Sequence, residues 1–248
     1  MNKNLKSLLL VTTTIGLLAG CGGEEKSKKL IMSTNAAYPP FEYIDTAGGG
    51  EYKGIDIEIA QAITDELGYE LEIKDMDFAG LVQSLQSKQA DFSMAAMSAT
   101  EERKKSVDFS DVYYVANHAV ISLKDSGIEE EANLAGKKVA AQLGTIQEDK
   151  VLELEESIGL TAETRDKVAE LIQELKSNRL DAIMVEDTVA EGYLKLNPDL
   201  QSFTIGDSES GYAIAFPKDS DLTEEFNKVL KEMIEDGTVD TIVKKYFE

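Results

Sequence analysis

Arg103 follows Ser98 and Thr100, and those two hydroxyl residues follow the apolar run Phe92-Ser93-Met94-Ala95-Ala96-Met97. A strand ending there delivers a fixed cation beside short hydrogen-bonding groups. That combination suits a carboxylate, because a guanidinium donates through a planar fork that lysine cannot imitate. A second charged position closes another apolar run, where Asp181-Ala182-Ile183-Met184-Val185 leads into Glu186-Asp187-Thr188. Strand ends are where an open α/β sheet places the groups that meet a ligand, so Glu186 or its neighbour Asp187 is placed to meet a cation. Covalent and metal chemistry find no comparable pattern. The one histidine, His118 in Ala116–Ile121, reads as structural, no Cys-His or Ser-His pairing is evident, and neither a metal nor a cofactor is expected.

The chain has 248 residues and a formal net charge of −22, from 47 acidic and 25 basic side chains. Nucleic acid is excluded as a partner, since a polyphosphate needs clustered cations. The pairs Lys104-Lys105, Lys137-Lys138 and Lys244-Lys245 do not make such a surface. The acidity reads as a solvated exterior. At the start, Lys3 and Lys6 precede an apolar run from Leu8 to Leu18 that Leu18-Ala19-Gly20-Cys21 closes. Too short for a membrane span, it reads as a signal peptide over residues 1–20. Leu-Ala-Gly-Cys resembles the bacterial lipoprotein box, which implies that Cys21 is acylated, with palmitate among its lipids, and that residues 21–29 form a polar tether. Cys21 is also the only cysteine, so the exported part has no disulfide and relies on its core.

The elements that must position the charged groups follow from periodicity. Leu30–Ser33 reads as a strand, and Asn35–Tyr43 as an ordered loop interrupted by Pro39 and Pro40 that turns at Gly48-Gly49-Gly50. Ile55, Ile59, Ala62, Ile63 and Leu67 recur at helical spacing, with Asp56 placed to cap the first turn. A strand over Glu70–Ile73, a helix over Gly80–Gln89 and a strand over Asp91–Met97 follow. Beyond them come strands at His118–Leu123 and Lys138–Gln142, helices at Ile146–Glu156 and Lys167–Asn178, and strands at Asp181–Val185 and Tyr212–Phe216. In the last amphipathic helix Leu222, Phe226, Val229, Leu230, Met233 and Ile234 share a face, and Gly237 ends it. The alternation predicts an α/β fold of parallel sheets with crossover helices.

The stretch from Ser98 to Tyr114, with Thr100-Glu101-Glu102-Arg103 and Asp108-Phe109-Ser110, closely resembles the extracellular solute-binding proteins, family 3, of polar amino acid ABC transporters. Gly54-Ile55-Asp56-Ile57-Glu58, Met76–Gly80, Gln142-Leu143-Gly144-Thr145, Ala213–Lys218 and the close at Gly237–Phe247 extend the resemblance over nearly all of Lys29 to Glu248. It implies a two-lobe, periplasmic-binding-protein-like type II fold, each lobe a mostly parallel sheet flanked by helices, joined by two hinge strands. Lobe 1 would be discontinuous, residues 30–112 and 213–248, lobe 2 would be residues 118–207, and the hinges 113–117 and 208–212. It implies, too, a monomeric lipoprotein at the extracellular face of the cytoplasmic membrane, or on the periplasmic side in a host with two membranes. Such a protein captures a polar amino acid and delivers it to a permease coupled to an ATPase.

By the same carry-over Arg103 holds the ligand's α-carboxylate, while Ser98, Thr100 and the Gly144-Thr145-Ile146 turn are placed to add hydroxyl or N–H donors. Tyr38 and Phe78 match positions where the family sets rings against the ligand's aliphatic stem. The carbonyl of Ala96 and the carboxylate of Glu186 take the ammonium. The family usually has aspartate where Glu186 stands, and a slip of one position would give the role to Asp187. Asn35, Gln142 and Gln147 fall near the far end of the ligand, and all are uncharged. One zwitterion against Arg103 and Glu186 favours a polar neutral ligand such as glutamine; arginine, lysine or histidine needs Asp187 or Glu42 turned inward. Two further readings stand beside this one. A cyclohexadienyl dehydratase-like enzyme on the same fold needs a positioned acid or base as well as a binder, and an adhesin or signalling ectodomain would have lost transport.

Overall fold

Apolar runs too short for anything but strands alternate with amphipathic helices, and that alternation builds two sheets. The structure is a computed structural model and describes residues 28–247. The expected signal peptide and Cys21 lie outside the described residues. The chain opens with β1 (Lys29–Thr34), β2 (Ala37–Tyr38), β3 (Glu42–Asp45), β4 (Glu51–Lys53), α1 (Ile55–Glu66), β5 (Glu70–Asp75), α2 (Leu81–Gln86), β6 (Phe92–Ser93), α3 (Glu101–Lys104) and β7 (Val107–Phe109). It continues with β8 (Tyr114–Leu123), β9 (Lys138–Gln142), α4 (Ile146–Ile158), β10 (Thr161–Arg165), α5 (Val168–Lys176), β11 (Ala182–Glu186), α6 (Asp187–Leu196) and β12 (Leu200–Tyr212). β13 (Ala215–Pro217), α7 (Leu222–Glu235) and α8 (Thr238–Phe247) close it.

The first sheet runs β5-β1-β6-β13-β7 and the second β10-β9-β11-β8-β12. In the first, β1 pairs in parallel with β5 and β6, and β13 returns antiparallel between β6 and β7. In the second, β9 pairs in parallel with β10 and β11, while β8 lies antiparallel to β11 and β12. Each sheet is thus parallel through three strands and antiparallel where the chain crosses over. β8 carries the chain into the second sheet, β12 carries it out, and the two pair from Tyr114↔Tyr212 to Asn117↔Glu209. β9 and β11 are buried almost throughout, as continuous apolar strands covered on both faces must be.

Several expected elements differ in detail. Asn35–Tyr43 is not a loop alone: β2, β3 and β4 make a small antiparallel sheet around the Gly48-Gly49-Gly50 turn. The strand expected over Asp91–Met97 is only Phe92–Ser93, because the Ala96 N–H leaves the ladder to donate to Asp56 Oδ2 at 2.8 Å. Asp56 therefore does not cap α1; its Oδ1 accepts from the Tyr113 hydroxyl at 2.7 Å, and Gly54 holds the N-cap position. On α7, Phe226, Val229, Leu230 and Met233 are buried, but Ile234 is 41 % exposed, one step off the stripe.

Gly54 allows α1 to start against the small sheet. Its φ is +131°, and a Cβ there would lie 2.0 Å from the Phe41 carbonyl oxygen, a backbone atom that cannot swing away. Gly54→Ala is expected to cost about 3 kcal/mol or more, through left-handed strain and overpacking together. Urea unfolding monitored by circular dichroism measures it, and an unchanged midpoint would contradict the assignment.

Candidate functional site

Three strand ends and the start of one helix converge between the sheets. β1 ends at Thr34-Asn35, β9 at Gln142 and β11 at Glu186, and the buried segment after β6 carries Ala95, Ala96 and Ser98. The first turn of α4, a helix of 13 residues capped by Thr145, opens on the same space with Ile146 and Gln147. A helix start presents unpaired N–H groups and favours an anion. These elements enclose a cleft between the two sheets. It is lined by Tyr38, Phe78, Ala96, Ser98 and Arg103 from the side of the first sheet, and by Gln142, Thr145, Ile146, Gln147 and Glu186 from the other. Glu42 and Ala95 complete the lining.

Arg103 is half-buried in α3, with Thr100 Oγ1 capping that helix by accepting from the Arg103 N–H. Thr100 is thereby committed to the cap. The guanidinium donates from Nη1 to the Ser98 carbonyl and from Nη2 to the Gly144 carbonyl, both at 2.9 Å, and lies 5.4 Å from the Phe78 ring centre. Burial pulls its pKa down to about 10, against the opposing charge of Asp149, so it stays charged at neutral pH. The bond to Gly144 crosses the cleft, as does the bond from Gln142 Nε2 to Asn35 Oδ1 at 2.9 Å. At Gly144, φ +80°, the two sides come close: a Cβ there would lie 3.0 Å from Ala79 Cα.

Two acids share the lining with this cation. Glu186 is 4 % exposed; its Oε1 accepts from Gln147 Nε2 at 2.7 Å, while its Oε2 is buried without a partner among the described residues. Burial pushes its pKa up to about 8, Asp187 adds to the rise, and the Glu186 backbone and Tyr212 oppose it. Glu42 is 1 % exposed and also leaves Oε2 unpartnered. Burial, with Asp56 and then Asp75 nearby, holds its carboxyl well above the usual range. Asp56 behind it is raised to about 6, again by burial, with the Ala96 N–H, Tyr113 and Glu42 opposing. Among the described residues no group of three or more His, Cys, Asp or Glu side chains is set to hold a metal ion, and no helix is long and apolar enough to cross a membrane.

Of the residues singled out in the sequence, Asn35 is not in the lining, and neither are Thr100 and Asp187. Asn35 is 2 % exposed, donates from Nδ2 to the Met76 carbonyl and accepts from Gln142, so it braces the wall. The Thr145 hydroxyl donates to the Gln142 carbonyl at 2.7 Å and accepts the Glu148 N–H, which leaves the helix N–H groups rather than the hydroxyl facing the cleft. Asp187, the alternative to Glu186, turns away and accepts from Asn117 Nδ2 at 2.9 Å. Glu42 entered the sequence reading only as a condition for a basic ligand, and its place after two prolines gave no periodic signal of burial.

Residues 30–248 match the family model described as bacterial extracellular solute-binding proteins, family 3. The chain belongs to that family. It is 49 % identical over 254 residues to the arginine-binding extracellular protein ArtP of Bacillus subtilis (strain 168), covering 100 % of this chain and 98 % of that protein. Among solved structures, an ancestral arginine-binding protein bound to arginine superposes with a TM-score of 0.83 at 41 % identity, over 89 % of this chain and 98 % of the other. An ancestral arginine-binding protein bound to glutamine gives 0.82 at 39 % identity, over 90 % and 99 %. These relatives of the solute-binding family are binding proteins, and this chain is a binding protein rather than an enzyme.

The raised acids give this solute-binding protein an unusual pH dependence. Folded Glu186 keeps its proton up to about pH 8, whereas the ordinary glutamate value is 4.5. The stability this contributes is fully present below 4.5 and is lost as pH rises through about 8. Asp56 acts in the same direction between 3.8 and about 6. Without added ligand, the melting temperature is expected to fall from about pH 5 to about pH 8, and Glu186→Gln to flatten the upper part of that fall. Differential scanning calorimetry across this range checks it; an identical slope in the variant would contradict it.

Proposed function

We propose that this protein captures a basic amino acid, arginine before lysine or histidine, between two lobes and delivers it to a membrane permease coupled to an ATPase. The observation that carries the reading is the charge inventory of the cleft. It holds one guanidinium and two buried acids, and each acid keeps one buried oxygen without a hydrogen bond, beside the Tyr212 hydroxyl for Glu186 and beside Asp56 for Glu42. Arginine offers the complement: one carboxylate and two cations. In this reading Arg103, Ser98 and the N–H groups at the start of α4 take the carboxylate, and Glu186 with the Ala96 carbonyl takes the ammonium. Glu42 meets the side-chain guanidinium, and the rings of Tyr38 and Phe78 flank the stem. Asn35, Gln142 and Gln147 hold the walls. A neutral ligand such as glutamine, favoured by those three uncharged residues, leaves Glu42 protonated and gains no charge pairing from it.

The lobes in this proposal are residues 30–112 with 213–248, and residues 118–207, turning about 113–117 and 208–212. The side-by-side pairing of β8 and β12 supports that division, since a two-stranded crossing can bend without breaking either lobe. Residues 1–20 serve as a signal peptide, and a lipid on Cys21 holds the monomer at the outer face of the cytoplasmic membrane through the 21–29 tether. The Lys3 and Lys6 start, the apolar run and Leu18-Ala19-Gly20-Cys21 support that part.

Isothermal titration with arginine and glutamine tests the ligand assignment. Arg103→Ala is expected to weaken arginine binding by about 3–5 kcal/mol, because it strands a buried carboxylate. Glu42→Gln is expected to weaken arginine binding far more than glutamine binding. Arginine affinity near wild type in Arg103→Ala would refute the carboxylate assignment, and an unchanged arginine preference in Glu42→Gln would refute the choice of a basic ligand.

A further inference from the structure

Behind the cleft wall, a second layer of side chains reaches Glu186. His118 stands on β8 directly across from Glu186 in the antiparallel register with β11, and it is 4 % exposed. Gln147, in the first turn of α4, touches both: its Nε2 lies 2.7 Å from Glu186 Oε1 and 3.1 Å from His118 Nδ1. An amide nitrogen carries two protons and no lone pair to offer, so it serves both contacts only if both partners accept. Nδ1 must then be the bare ring nitrogen, with the proton on Nε2. Turned over, the same amide presents its oxygen to both neighbours. That arrangement demands a proton on Nδ1 and pins the proton that free Glu186 keeps up to about pH 8 on Oε1, so the carboxyl could not ionise to meet an ammonium group without losing that contact. Burial lowers the imidazole pKa, with Lys150 adding to the effect, which favours the uncharged ring.

We infer that His118 is a positioning residue for ligand binding: as the Nε2–H tautomer it sets the amide of Gln147, and through that amide it holds Glu186 Oε1 as an acceptor, leaving the buried second oxygen without a hydrogen bond as the one to meet the ligand. The inference rests on Glu186 being the ammonium partner. A histidine that merely filled the core would have no required tautomer and no effect through Gln147. Here the tautomer decides which end of the amide faces the carboxylate, so a residue behind the wall sets the electrostatics of the site.

His118 is the only histidine in the chain, so isotope-labelled protein without added histidines gives a single imidazole signal set. Long-range nitrogen–proton NMR correlations near neutral pH are expected to show the Nε2–H tautomer, both alone and with arginine. An Nδ1–H tautomer or an imidazolium would overturn the inference, and this measurement needs no variant to fold. In titrations with arginine, His118→Asn supplies an oxygen near the Nδ1 position and should bind like wild type. His118→Leu fills the space without an acceptor and should bind on the order of tenfold more weakly. Wild-type affinity in His118→Leu, or equal losses in both variants, would reduce His118 to filler. Glu186→Gln separates the two levels. If it binds arginine like wild type, the assignment of Glu186 itself fails; if it loses affinity while His118→Leu does not, only the positioning role fails.

Discussion

A guanidinium and two carboxylic acids are drawn out of water into one cleft, and the rest of the molecule is arranged around that imbalance. An unpaired buried ion carries a penalty of several kcal/mol, so each group moves toward its neutral form. Glu186 and Glu42 hold protons well past the usual carboxylate range, and Arg103 is pulled down to about 10. A ligand carrying the opposite set of charges reverses all three shifts together. Its recognition is thus tied to desolvation, which needs both walls of the cleft in place. The bonds from Arg103 to Gly144 and from Gln142 to Asn35 join those walls, and the missing Cβ of Gly144 lets them meet.

The cleft is also connected to the strands that cross between the sheets. Tyr113 donates to Asp56, and Asp56 in turn holds the Ala96 N–H at the edge of the site. Tyr212, at the end of β12, packs edge-on against Phe41 and stacks with Tyr114 at the start of β8. A rotation of one side against the other therefore passes through residues that touch the lining. Under the proposed function, this arrangement would link ligand capture to a change of shape that a partner in the membrane reads.

Much of the frame was legible because burial leaves a period in the chain. β9 was predicted with its observed bounds because Val139, Ala140 and Ala141 form an unbroken apolar run, and α1 and α7 because their stripes recur at helical spacing. β10, Thr161–Arg165, escaped notice since it is an edge strand of half-buried polar residues, and α6 began where the sequence suggested only a strand end. Arg103 and Glu186 were legible because each follows an apolar run that had to end at the cleft. Glu42, Asp56 and the link from Gln147 to His118 were not. Their roles depend on side chains meeting across elements far apart in the chain, where a local pattern carries no signal, and Asp56 in a first helical turn imitates a cap.

The charge complement can be tested apart from shape by comparing arginine with citrulline, which has the same skeleton but a neutral urea in place of the guanidinium. Calorimetric titration of the wild-type protein with each is the most direct measurement. If Glu42 meets a ligand cation, arginine binds about a hundredfold or more tightly than citrulline, a difference of about 3 kcal/mol. Equal affinity for the two would mean that no buried acid senses the side-chain charge, and the account of this cleft would be wrong.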